Sequence, residues 1–229
     1  MRPARPEPDC SLSPPARLYL LAWDTARREV ADPARLSPLV RAGALADLAR
    51  RGLLIDDDGV TTPRDLDSRT GDAVLDGLLE LVSESCPHSW RTWVTLRARH
   101  TLDAVREQLV AEGVLRAERR RVLGVFPTVE HVLDDVARVR HLQQEARRIL
   151  DGPGPAEDVP ETDAAVVALG ASAGLSTLPP GRDRAGRRRR VEDLAERGGA
   201  ATPALGRIVR ELRTALTAAG PVPSLTAGG

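Results

Sequence analysis

The chain of 229 residues contains no lysine, so all 33 of its Lys/Arg-type basic residues are arginines. Arginine presents a planar fork that bonds two oxygens at once, which suits phosphate. Acidic residues also number 33, so the formal net charge is zero. That balance excludes a global field drawing the protein to nucleic acid or to an anionic membrane, and any such site must be local. One Phe, one Tyr and three Trp leave the core to Leu, Val and Ala. Cys10 and Cys86 make no disulfide framework. Cys10 sits in a Pro-rich stretch, Cys86 follows an apolar helix and reads as a small core filler, and two lone thiols fit a reducing compartment. No apolar run approaches the roughly 20 residues that span a bilayer. Met1 to Pro15 lacks the apolar centre of a signal peptide. The expectation is a soluble, cytoplasmic protein, at most peripheral on the cytoplasmic face of a membrane.

Catalytic constellations are also lacking, and the expectation is a non-enzymatic protein with no cofactor or metal. His88, His100, His131 and His141 have no metal-ligand spacing. His131 and His141 lie on what reads as one helix, roughly 15 Å apart along its axis, too far to share an ion. Asp56-Asp57-Asp58 lacks the alternate ligands and terminal Glu of an EF-hand and reads as a solvated turn. Gly152-Pro-Gly-Pro155 lacks the Gly-Lys-Ser/Thr of a P-loop, and no Ser has a G-x-S-x-G setting.

Two stretches share one template. Leu45 to Gly52 runs into Leu53 to Val60, and Leu109 to Gly113 runs into Val114 to Phe126. Each reads as an amphipathic helix stopped by a glycine, which supplies a left-handed turn, and followed by a β-hairpin. Asp57-Asp58-Gly59 before Val60 is a tight hairpin signal. Around these, apolar periodicity predicts helices over Ala16 to Asp24, Asp32 to Arg51, Asp72 to Ser85, a turn carrying Trp90 and Trp93, a helix ending at Gly113, then Val129 to Leu150, Arg184 to Arg197 and one around Leu205 to Leu216. Leu36, Val40, Ala44 and Leu48 mark the core stripe of the second. Ala164 to Leu175 is apolar on nearly every face and reads as a central helix. The fold class is mainly α: a single helical domain over 16–219 around a central apolar helix, with hairpins near 53–62 and 114–126. Residues 1–15 read as a disordered Pro-rich arm and 220–229 as a flexible tail.

Several cations have two readings. Arg41 borders the apolar stripe, either as a snorkelling side chain or as a cation at a cleft edge. Arg99 and Arg106 share a helix face with Asp103 between them, either as a salt-bridge ladder or as a phosphate cradle. Arg187 to Arg190 opens a helix, where Glu192, Asp193 and Glu196 favour self-neutralisation over an external anion. Arg119, Arg120 and Arg121 precede Val122-Leu123-Gly124-Val125-Phe126. Charge beside an apolar tip suits an anionic membrane surface, and a hairpin folded onto its own domain is the alternative.

Leu18 to Asp24, Leu39 to Leu54, Ala104 to Leu115 and Asp163 to Leu175 together, in that order and spacing, resemble the Golgi phosphoprotein 3 family over roughly residues 16–219. The resemblance implies a helical fold around a central helix, and phosphatidylinositol 4-phosphate bound in a basic pocket at a membrane surface. It also implies, as in Golgi members, an adaptor for the cytoplasmic tails of membrane proteins. Arg41 matches the family's helix Arg and Arg99 the first of its paired Arg. The two are expected to approach across a shallow basic pocket open to solvent. Leu102 stands at the second paired Arg, and the family's loop Trp falls near Asp32. The family's exposed hydrophobic hairpin corresponds to Val122–Phe126. The alternatives are a transcription factor with two winged helices, which a neutral chain with Asp47 on the candidate recognition helix disfavours, and a lipid-independent interaction scaffold. A homo-oligomer is left open, and no nucleic-acid partner is favoured.

Overall fold

The computed structural model describes residues 12–122, 126–179, 183–200 and 203–218, and only the backbone at 120–122, 126 and 127. Within them the chain is a helical bundle around one continuous apolar core, with short antiparallel sheets at its margin.

The first helix, α1 (Pro14–Leu21), begins two residues before the expected Ala16, because Pro14 and Pro15 occupy the first turn, where no intrahelical N–H is required. Leu12 to Pro15 are buried, so part of the stretch read as a disordered arm belongs to the core. The helix ends at Leu21, earlier than Asp24: Trp23–Asp24 (β1) pairs with Glu29–Val30 (β2) in a small hairpin that periodicity did not reveal.

Helix α2 (Pro33–Arg50) is the larger departure from expectation. Its apolar stripe predicts one buried face, yet every residue from Leu39 to Ala49 is buried. It packs against α1 and against the later helices α3 (Ala73–Glu84), α4 (Trp90–Thr95), α5 (Ala98–Ala111), α7 (Glu161–Ser172) and α9 (Ala204–Ala218). Ala42, Gly43, Ala44, Ala46 and Ala49 make this enclosure possible, since small side chains let neighbouring helices close on all sides at core density. The second enclosed helix is α7, buried from Ala164 to Gly170 and packed against α1, α2, α6 (Val136–Asp151), α8 (Arg184–Gly198) and α9. At Gly198 an added Cβ would lie 2.6 Å from the backbone nitrogen of Ala165, which shows how closely α8 crosses α7.

Both template segments fold as expected. Gly52 (φ 71°) and Gly113 (φ 72°) take the left-handed conformation. Leu53 N–H donates to Leu48 O and Val114 N–H to Leu109 O, each at 2.9 Å, closing α2 and α5 in the same way. Gly174 (φ 66°) ends α7 likewise, so the segment to Leu175 is a helix plus its closing turn.

After α2, strands β3 (Leu54–Asp57) and β4 (Val60–Pro63) form the first hairpin, and β5 (His88–Ser89) adds a third strand to β4. After α5 comes β6 (Leu115–Val122), paired with β7 (Phe126–Leu133). The second hairpin is longer than expected, because 129–133 is strand rather than the start of a helix. Val129 and Val132 fit a helical spacing, but Asp135 accepts the N–H of Arg138 and caps α6 only from there. Cys86 is exposed in the turn after α3 rather than filling the core, because α3 already ends at Glu84.

Candidate functional site

The site forms where α2 passes beneath the junction of α4 and α5. Leu96 leaves α4 in extended conformation, and Arg97 then turns left-handed (φ 49°, ψ 30°), an uncommon state for a residue with a Cβ. That turn aims the Arg97 carbonyl at two donors. His100 N–H reaches it at 3.0 Å, and Arg41 Nη2, rising from α2, reaches it at 2.7 Å.

Arg41 is fully buried, with 0 % exposure, and its Nε and Nη1 have no partner. The expectation of a guanidinium open to solvent is therefore corrected: α2 is enclosed on every side, so its Arg cannot reach a cleft edge by extending past a neighbour. Burial alone pulls its pKa down to about 10, and it stays cationic at neutral pH. Among the described residues no carboxylate pairs with it. The effective penalty for a buried unpaired ion is several kcal/mol, so this charge is a costly feature of the core.

The α4–α5 segment that carries the Arg97 carbonyl also bears exposed arginines, Arg91, Arg97 and Arg99. From Ser85 to Leu102 the sequence holds these three arginines, His88 and His100, and no Asp or Glu. That acid-free run is the signal by which Arg91 and Arg97 stand out from the sequence; periodicity and spacing pass over it. The side chain of Arg97 does not cap α5, so the first-turn N–H groups of Ala98 and Arg99 lack an intrahelical acceptor at the positive end of the helix dipole. Arg41 meets the backbone of Arg97 at that helix terminus, and Arg99 lies exposed in the first turn of the same helix, a set of cations suited to an anion bearing several oxygens.

Other sequence candidates go elsewhere. Leu102 is buried. Asp32 accepts from Ser176 N–H and Oγ, each at 2.9 Å, and so fastens the start of α2 to the turn after α7. Arg106 pairs with Asp103 at 3.2 Å and lies over the Tyr19 ring, so the ladder describes it rather than the cradle. Burial and then the nearby Arg106 charge push the pKa of His131 down. In the Arg187–Arg190 run, Arg188 pairs with Glu192 as expected. Arg187 instead bonds Asp151, and Arg190 donates twice to Ile149 O, placing cations at the negative end of α6.

The β6–β7 hairpin runs about 27 Å if its eight-residue strands keep the usual rise. Among its described side chains, Leu115 and Leu133 at the base are enclosed. Arg119, paired with Val129, is exposed, as is Val129. Leu123 and Val125 lie outside the described residues, as do the side chains of Arg120, Arg121, Val122 and Phe126. No described helix is long and apolar enough to cross a membrane. Helix α2, the candidate recognition helix of the winged-helix reading, is enclosed from Leu39 to Ala49 and offers no long face to a DNA groove.

The Golgi phosphoprotein 3 (GPP34) family model matches residues 15–212. The chain belongs to this family. Comparison with curated proteins gives no match. The matched span takes in all but the first residue of α1 and most of α9, and with them Arg41, Arg97, Arg99 and the hairpin of this Golgi phosphoprotein 3 family member.

Proposed function

We propose that this family member is a peripheral membrane protein that binds an anionic phosphoinositide head group, phosphatidylinositol 4-phosphate by resemblance, on the cytoplasmic face of a membrane. The observation that carries the reading is Arg41: a buried cation with no carboxylate partner among the described residues, held at the start of a helix that carries exposed arginines. A phosphate group reaching that helix start would supply the missing negative charge. Arg99 would contact it from the rim, and the hairpin bearing Arg119 would add attraction to the surrounding anionic lipids. The neutral net charge makes this attraction local and orientation-dependent. Family membership supports phosphoinositide binding in general. Departures at Leu102 and Asp32 from the family's pocket pattern make this chain's head-group preference its own, and tail binding to membrane proteins is a further function the resemblance supports.

Flotation with phosphatidylcholine vesicles carrying single anionic lipids tests the reading. Recovery is expected with a phosphorylated inositol lipid above that with phosphatidylserine at equal charge. Equal recovery would reduce the site to general electrostatics, and no recovery with any anionic lipid would refute membrane binding.

A further inference from the structure

The guanidinium that makes the head-group reading attractive is, in this structure, already held by a backbone carbonyl. Arg41 Nη2 donates to Arg97 O at 2.7 Å, and Arg41 has no solvent exposure. The carbonyl points at it only because Arg97 is left-handed, with φ 49°. Of the described residues with a Cβ, only Arg28 and Asp58 share a positive φ, and both lie in hairpin turns that require one. Arg97 lies between two helices, where an extended residue would serve as the usual start of α5. Its conformation instead serves the contact with Arg41.

We propose that Arg97 is the latch of the anion site: its carbonyl occupies the Arg41 N–H that a phosphate oxygen would take, and a phosphate gains Arg41 only by displacing it. The inference rests on the head-group reading. The two states differ in the φ and ψ of Arg97. In the closed state the carbonyl of Arg97 accepts from Arg41 and His100. In the open state Arg97 relaxes to the extended region, its carbonyl leaves Arg41, and the ligand's phosphate takes its place. Three features bias the exchange toward the ligand: a phosphate oxygen bears a charge that a carbonyl lacks, Arg41 has two further unpartnered nitrogens to offer, and the left-handed strain is relieved. Arg97 is itself exposed, so its side chain is open to an approaching anion. The latch keeps the buried cation partly satisfied until a membrane is reached.

The test compares two substitutions that remove the same side-chain charge. Glycine adopts the left-handed state freely and holds the latch shut, whereas alanine disfavours it. Flotation on phosphatidylcholine vesicles carrying phosphatidylinositol 4-phosphate should show Arg97→Ala binding about five-fold or more tightly than Arg97→Gly, the strain difference expressed as affinity. Equal binding, or tighter binding by Arg97→Gly, overturns the latch while wild-type binding leaves the head-group reading intact. Absence of binding by the wild type and both variants overturns that reading and the latch with it. A measurement on the wild type needs no variant to fold. Adding inositol 1,4-bisphosphate should shift the 15N resonance of Arg41 Nε and lower the hydrogen-exchange protection of the His100 amide. Binding that leaves both unchanged refutes the latch.

Discussion

The indole N–H of Trp90 donates to Asp56 Oδ2 at 2.6 Å, joining the first hairpin to α4. Arg207 of α9 bonds the same oxygen, and Gly59 N–H reaches Oδ1 at 2.8 Å. Of the three consecutive aspartates read as a solvated turn, Asp57 and Asp58 are exposed, but Asp56 is a hub between three elements. Burial opposes ionisation of Asp56. The hydrogen bonds from Trp90, Gly59 and Arg207, with the charge of Arg207, outweigh it and hold the carboxyl below its usual pKa.

A carboxyl with a depressed folded-state pKa stabilises above its unfolded pKa, and that contribution fades as pH falls through the folded value. Asp56→Asn should therefore cost about 1.5–3 kcal/mol at neutral pH, the range for hydrogen bonds to a charged group. The difference from wild type should shrink once pH drops below about 4. Urea unfolding at neutral and acid pH measures both, and a pH-independent difference would remove the charge from the account.

Arg41 should trade stability against binding. Removing a buried cation that no described carboxylate pairs relieves a desolvation penalty of several kcal/mol, set against the loss of its bond to Arg97 O. Arg41→Met is expected to unfold at the same or a higher temperature than wild type while losing recovery on phosphoinositide vesicles. A destabilised variant with unchanged recovery would make Arg41 a structural residue.

Gly198→Ala tests the closeness of the α7–α8 crossing. The added methyl would meet the Ala165 backbone rather than a movable side chain. Overpacking of this kind typically costs about 1–3 kcal/mol, readable in the thermal midpoint. An unshifted midpoint would mean that the two helices separate freely.

The second hairpin is expected to act on membranes and not on folding, since among its described side chains only Leu115 and Leu133 at the base are buried. Alanine at Arg119, Arg120 and Arg121 together should lower flotation most at low salt, each basic residue near an anionic surface contributing about 1 kcal/mol. Phe126→Asp should lower it at low and moderate salt alike. If neither variant loses recovery while unfolding stays unchanged, the hairpin has another role.

Local chemistry made much of this fold legible. Gly52 and Gly113 announce two helix ends because left-handed backbone is cheap only without a Cβ, and Asp58-Gly59 announces a hairpin for the same reason. The all-apolar run after Asp163 announces an enclosed helix, since no exposed helix leaves every face apolar. The family resemblance was likewise readable in the order of its segments. Tertiary packing decided the rest. Whether α2 buries one face or all of them depends on how many helices surround it, and its alanines permit either arrangement. The strand over 129–133 exists because β6 lies beside it, a pairing that a helical spacing of valines cannot foretell. For the same reason Arg41 reads on paper as a cation at a cleft edge. Once enclosed, it has a carbonyl for its partner and, among the described residues, no carboxylate, because burial is set by the neighbours that other parts of the chain bring to it.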